Sequence, residues 1–283
     1  MNILKLKQML QQFLMEDIGE CDVTSDTIFD QGEQGTLTFI AKEGGVFSGG
    51  AVIQTGFALL DEQIEVCVFV KDGEVFEEGQ QLAKMTGDMA SLLKGERVVL
   101  NLVQRMSGIA TQAHKAAMIL AGTKTRACDT RKTTPGLRML EKYAVRSGGA
   151  FNHRYGLYDA VMIKDNHISF AGSITKAVQT VKSKLGHTTK VEVETESPQQ
   201  VLEAVEAGAD IIMFDNRSPE EIKQLIKLVP AHIITEASGG IHLDNLASYR
   251  ETGVDYISLG SLTHSVRALD ISAKVKEREG ILK

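Results

Sequence analysis

From residue 125 onward the sequence repeats one motif, and that motif restricts the fold more than any other feature of the chain. Six short β-branched or apolar runs, "TRACDTRK", "AVMIKDNH", "KVEVETE", "DIIMFDN", "IITEASGG" and "YISLGSLTH", each end in polar residues and lead into helical spacing. The segments between them, among them "SPQQVLEAVEAGA" and "SPEEIKQLIKLVP", open with helix-start signals and carry a 3.6-residue apolar period. Strand and helix alternate every ~20 to 25 residues over the last three units, the pattern of a parallel βα array. In such an array the ligand site forms where strands end and loops begin. Arg131 and Lys132 end the first run, Lys164 the second, Glu194 the third and Asp215 the fourth. Ser238, Gly239 and Gly240 end the fifth, and Gly260 and Ser261 the sixth. A barrel or partial barrel turns all of these toward one pocket, although six visible units fall short of eight strands.

The first half has a different rhythm. Residues 35 to 90 read as short strands and turns, with "GTLTFIAKEGG" and "IEVCVFVKDGEVFEEGQQLAKMTG" alternating apolar and polar positions and a hairpin expected at Asp72-Gly73. Ser91 is placed to cap a long helix with an apolar face of Leu92, Val99, Leu102, Val103 and Met106, which Ser107-Gly108 interrupts. Arg105 lies near the end of that helix, and pattern alone leaves it a solvated charge. The opening "MNILKLKQMLQQFLMEDIGE" places Leu6, Met9, Leu10, Phe13 and Leu14 at helical spacing, which predicts an amphipathic surface helix rather than a leader.

The chain carries 31 basic against 37 acidic residues, yet "DTRKTTPGLRMLEKYAVRSGGAFNHR" concentrates cations between Asp129 and Arg154. A local basic excess on a chain of net charge -6 argues against a nucleic-acid surface and for a small anionic partner. Part of this charge reads as a helix between Thr134 and Gly148-Gly149, with Arg138, Lys142 and Arg146 as one stripe, solvated or paired to acidic groups elsewhere. Arg131, Lys132, His153 and Arg154 flank that helix and can converge on an anion. Cys21, Cys67 and Cys128 are odd in number and widely spaced, which suits a reducing cytoplasm better than a disulfide framework or a zinc site.

Arg131 offers a planar fork for carboxylate or phosphate, while Lys132 and Lys164 supply point charges. Glu194 and Asp215 would repel an anionic ligand unless a divalent cation or sugar hydroxyls intervened, and a Mg-bound phosphorylated sugar satisfies both conditions. The glycine-rich turns of the last two runs suit a phosphate as well as they suit ordinary caps. Of the histidines, His153 and His264 have the best functional placement, and a capping or core role is expected for His167.

Taken in order, "MEDIGECDVTSD", "GERVVLNLVQRMSGIAT", "DTRKTTPGLRMLEKYAVRSGGAFNHR", "DAVMIKDNHI", "VEVE", "IIMFDN", "EASGGI" and "LGSLTHS" resemble the quinolinate phosphoribosyltransferase family over nearly the whole chain. Cys21 and Ser147 depart from the family pattern without touching a proposed charged ligand. The resemblance implies an N-terminal α/β sandwich, residues 1–108 with the linking helix, followed by an incomplete parallel α/β barrel, residues 109–283, whose C-terminal segment packs back on the first domain. It implies transfer from 5-phosphoribosyl 1-diphosphate to quinolinate with decarboxylation, in NAD biosynthesis, by a cytoplasmic homodimer that uses Mg2+. It also implies that Arg131, His153, Arg154, Lys164 and the Arg105 of a second copy surround the quinolinate carboxylates, with Lys132 and Thr130 adding contacts. Glu194 and Asp215 would hold the ribose hydroxyls and the Mg environment. Ser238, Gly239 and Gly240, with Leu259, Gly260, Ser261 and His264, would receive the 5-phosphate. Lys132, Lys164, Glu194 and Asp215 are the implied catalytic residues.

Overall fold

The computed structural model describes residues 1–30 and 32–277. Helices are α1 (Ile3–Ile18), α2 (Ser25–Ile28), α3 (Gly50–Leu60), α4 (Met89–Ile119), α5 (Arg138–Ser147), α6 (Asp165–Ala171), α7 (Ile174–Lys184), α8 (Pro198–Glu206), α9 (Pro219–Leu225), α10 (Leu243–Leu246) and α11 (Ser261–His264). Strands are β1 (Gln34–Ala41), β2 (Gly45–Val46), β3 (Glu65–Val68), β4 (Val75–Phe76), β5 (Gln81–Asp88), β6 (Arg126–Cys128), β7 (Val161–Ile163), β8 (Val191–Thr195), β9 (Ile211–Asp215), β10 (Ile234–Ser238), β11 (Tyr256–Ser258) and β12 (Ile271–Glu277). The chain forms two compact units: Met1–Gln112 with Met139–Gly149 and the segment from Val266 onward, and Ala113–Arg138 with Ala150–Ser265.

The first unit is built on an antiparallel sheet of order β12-β1-β5-β3. Alternation along β1 buries Leu37, Phe39 and Ala41, and α1 buries Leu6, Leu10 and Leu14, so the helical spacing read from the N-terminus holds. The C-terminal strand β12 pairs with β1. Four local expectations change. Helix α3 occupies Gly50–Leu60, inside the span read as short strands and turns, and buries Val52, Ile53 and Phe57. Strand β3 pairs with β5, and β4 with β2, so Asp72-Gly73 is not the tip of a β3–β4 hairpin. Asp72 instead caps α3: its Oδ1 accepts the N–H groups of Gly49 and Gly50 at 2.9 and 3.0 Å, and its Oδ2 accepts from the Tyr143 hydroxyl at 2.6 Å. Helix α4 begins earlier, where Asp88 accepts from the Ser91 N–H, and it runs straight through Ser107-Gly108. Both residues are there for close packing. A Cβ on Gly108 would lie 2.2 Å from the Arg267 carbonyl oxygen, and Ser107 Oγ accepts the Ser48 N–H.

Helix α5 is also corrected. It starts at Arg138 and belongs to the first unit, where Glu141 and Lys142 are 1% and 0% exposed. Of the two alternatives for the stripe, solvation fails at Lys142, because a four-residue repeat identifies a face without saying what packs on it.

The second unit contains all six predicted strands in one parallel sheet of order β6-β11-β10-β9-β8-β7. Phe151 makes a parallel bridge with Cys128 on the free side of β6. The ring is thus open between the Phe151 segment and β7, as an incomplete barrel requires. Ser197 and Ser218 cap α8 and α9, with proline in the first turn of each, and Val201, Ala204, Ile222 and Leu225 face inward. Among the described residues no helix is long and apolar enough to cross a membrane.

Candidate active site

Side chains alternate along a strand, so residues two apart share a face. Met162 and Lys164, Glu192 and Glu194, Met213 and Asp215, Glu236 and Ser238, and Ser258 and Gly260 form such pairs. The upper member of each pair lines a cleft of about 590 Å³ in the second unit, together with Met162, Met213 and Ser258 of the lower row. Thr130, Arg131, Lys132, His153, Arg154, Gly239 and Gly240 complete the predicted part of the lining. Leu259 is fully buried and reaches the turn only through its backbone, which donates to the Cys128 carbonyl at 2.8 Å. Ser261 and His264 stand just beyond the lining. His264 Cδ2 and Lys132 Cδ would both lie 3.1 Å from a Cβ on Gly260, so glycine there lets these two side chains approach each other. Arg105 belongs to the first unit, where its Nε and Nη2 donate to Glu141 Oε1 at 2.9 and 2.6 Å.

The charges have identifiable supports. Lys164 Nζ forms an ion pair with Glu194 Oε2, and its backbone N–H donates to His167 Nδ1 at 3.0 Å, which gives His167 the capping role expected of it. Burial pushes the Asp215 carboxyl above the usual range, against the pull of Lys164, the Asn216 amide at 2.6 Å and Lys132. Burial lowers the pKa of Arg154, and the nearby Arg131 guanidinium lowers it further. Among the described residues the buried Nε–H donors of Arg131 and Arg154 have no protein acceptor. Two half-buried guanidinium groups that repel one another favour an anion beside them.

Sequence reasoning missed the floor of this cleft. Glu192 and Glu236 are 2% and 4% exposed beneath His153, with Nε2 at 3.1 Å from Glu192 Oε2 and 3.7 Å from Glu236 Oε2. Both lay inside quoted runs, and the period-two rule places each on the face of the recognised Glu194 and Ser238. The missing signal was the curl of the sheet, which brings β8 and β10 together. The ligating atoms of His153, Glu192 and Glu236 lie within 4.8 Å of one another. Nevertheless His153 Nδ1 accepts the Arg154 N–H at 2.7 Å, so the ring proton sits on Nε2, which donates to Glu192 and has no lone pair for a cation.

Desolvation and the neighbouring Glu192 carboxylate push Glu236 up to about 8. The folded protein then holds a proton that the unfolded chain releases near pH 4.5, so stability is lost as pH rises between about 4.5 and about 8. In thermal melts across this window, Glu236→Gln is expected to remove part of the decline. Parallel curves for the variant and the wild type would contradict the assignment.

Asn216, also missed, adopts a left-handed φ of 52° and donates its N–H to the Ser238 carbonyl at 2.8 Å. Its side chain occupies the space of a Cβ on Gly239, 2.3 Å from Asn216 Oδ1. Gly239 and Gly240 both have positive φ, which turns the chain sharply at the end of β10.

Residues 22–107 match the family model for the quinolinate phosphoribosyl transferase N-terminal domain, and residues 109–274 match that for its C-terminal domain. The chain belongs to the quinolinate phosphoribosyltransferase family. A probable nicotinate-nucleotide pyrophosphorylase [carboxylating] of Bacillus subtilis is 54% identical over 276 residues, covering 97% of this chain and 95% of that protein. The crystal structure of NadC from Streptococcus pyogenes superposes with a TM-score of 0.95 at 40% identity, covering 99% of both chains. The nicotinate-nucleotide pyrophosphorylase of Francisella tularensis gives a TM-score of 0.92 at 35% identity, covering 98% of both. In this quinolinate phosphoribosyltransferase family fold the cationic cleft lies at the carboxyl ends of the parallel strands.

Proposed function

We infer that the protein transfers the phosphoribosyl group of 5-phosphoribosyl 1-diphosphate to quinolinate with loss of carbon dioxide, giving nicotinate mononucleotide and pyrophosphate in NAD biosynthesis. Within the family the observation that carries this reading is the cleft itself: four cations and two carboxylates line it, and Arg131 lies close enough to Arg154 to lower its pKa.

The pyridine nitrogen brings its own lone pair, so no side chain has to be activated as a nucleophile. Arg131 and Arg154 hold the two carboxylates, with His153 and Thr130 shaping the wall around them. Lys132 and Lys164 provide fixed positive charge as the bond from the ribose C1 to the diphosphate oxygen breaks. Glu194 and Asp215 face the ribose hydroxyls as acceptors. The N–H groups around Ser238–Gly240 and Gly260–Ser261, with His264 alongside, receive the 5-phosphate. After transfer, the bond from the ring to its adjacent carboxyl breaks, carbon dioxide leaves, and the electron pair remains on the ring carbon beside the positive nitrogen until a proton arrives.

Asp215 and Glu194 present hard oxygen ligands beside anion-binding lysines, a donor set that fits Mg2+ held chiefly through substrate oxygens. Bound there, Mg2+ would neutralise charge on the departing diphosphate. Chelation with EDTA should abolish turnover and added Mg2+ should restore it; full activity in EDTA would refute the metal assignment.

The reading places residues 1–108 and 109–283 as N-terminal and catalytic domains in a cytoplasmic homodimer, with Arg105 completing the pocket of the other copy. Large exposed apolar side chains at Leu157, Tyr158 and Phe170, in the segments after Arg154 and Lys164, support an interface beside the cleft. In a twofold dimer both pockets would borrow one arginine. Arg105→Ala and Lys132→Ala should each be inactive alone. Co-expressed, they should recover about a quarter of wild-type activity, since about half the dimers are mixed and each of these has one intact pocket. Mixed dimers shown to form without recovery would place Arg105 in its own chain's chemistry.

A further inference from the structure

Asp129 is fully buried at the end of β6, directly before the Thr130–Lys132 arm of the cleft. Both carboxylate oxygens are engaged by the opposite arm: Oδ1 accepts the His153 N–H at 2.8 Å and Oδ2 accepts from the Asn152 side-chain amide at 2.7 Å. Its own N–H donates to the Phe151 carbonyl at 3.0 Å, which continues the bridge beside β6. The clasp extends outward, because Asn152 Oδ1 accepts the Tyr155 hydroxyl at 3.0 Å and His153 Nδ1 accepts the Arg154 N–H. One carboxylate therefore joins the segment carrying Arg131 to the segment carrying Arg154, beyond the Cys128–Phe151 bridge at the open side of the barrel.

We propose that Asp129 is a positioning residue that sets the gap between Arg131 and Arg154, and through it the affinity for a dicarboxylate. This rests on the reading that the two arginines hold the quinolinate carboxylates. The two guanidinium groups repel one another, so their separation has to be imposed by the backbone. A buried carboxylate hydrogen-bonded to the second arm imposes it. Asparagine at this position keeps the shape but turns one acceptor into a donor and removes the charge.

The test is steady-state kinetics of Asp129→Asn with each substrate varied in turn, beside Asn152→Ala, which removes one bond of the clasp. The expected result for Asp129→Asn is a roughly 10- to 100-fold rise in KM for quinolinate, with KM for phosphoribosyl diphosphate within about threefold of wild type. Asn152→Ala should shift the same parameter in the same direction by a smaller factor, and it serves as the decisive variant if Asp129→Asn does not fold. Unchanged quinolinate KM in the folded variants, or equal rises for both substrates, would overturn the proposal. Arg154→Ala separates the two levels of failure. If it leaves quinolinate KM unchanged, the reading of the arginines falls and the proposal with it. If it raises KM while the clasp variants do not, the positioning role alone is wrong.

Discussion

Quinolinate should be used at least ~10⁴-fold more efficiently than nicotinate, measured as the ratio of kcat/KM values. The reason is the pair of buried donors. Among the described residues Arg131 and Arg154 each have an Nε–H without a protein acceptor, and burial, followed by repulsion from Arg131, depresses the Arg154 pKa. A ligand with two carboxylates answers both groups, whereas one with a single carboxylate leaves a desolvated guanidinium unmatched. Sites built around buried polar groups discriminate strongly because an unpaired group costs far more than a missing apolar contact. Nicotinate also has no second carboxylate to lose after ribosylation. Comparable efficiencies for the two acids would mean that the arginines serve another group.

The second large effect concerns Lys164. Its side chain is 43% exposed and its ammonium is held by Glu194, whose side chain is 12% exposed. Lys164→Ala should lower kcat by roughly 10²- to 10³-fold, the range seen when one preorganised charge is removed from a developing anion. The midpoint of thermal unfolding should fall by only ~2–4 °C, because the lost ion pair is partly solvated. Lys132→Ala should behave in the same way. A large loss of stability with kcat intact would assign these lysines to the fold and not to the reaction.

The legibility of these features in the sequence depended on how local their causes are. Strands β6 to β11 were readable because a parallel strand buried by flanking helices is a short apolar run ending in polar residues. Lys164, Glu194 and Asp215 were readable because strand ends are where such a sheet places its chemistry. Glu192 and Glu236 were hidden: each is a strand glutamate like any other until the sheet curls and brings β8 and β10 to the same histidine. Asp129 was quoted as the first residue of the basic stretch, and its partners, 23 and 24 residues away, exist only in the folded chain. The choice between a solvated and a paired Lys142 stayed open for the complementary reason, since helical spacing specifies a face and tertiary packing decides whether water reaches it. Arg105 was found only by resemblance; its ion pair with Glu141, 36 residues later, has no signature in either segment.

The central claim is that this cleft couples phosphoribosyl transfer to decarboxylation. Quinolinate labelled in the carboxyl carbon next to the ring nitrogen, incubated with 5-phosphoribosyl 1-diphosphate and Mg2+, tests it directly. The predicted result is labelled carbon dioxide and pyrophosphate in a 1:1 ratio, with nicotinate mononucleotide carrying no label and neither product formed when one substrate is omitted. Pyrophosphate release without carbon dioxide, or turnover of phosphoribosyl diphosphate that does not depend on quinolinate, would contradict it.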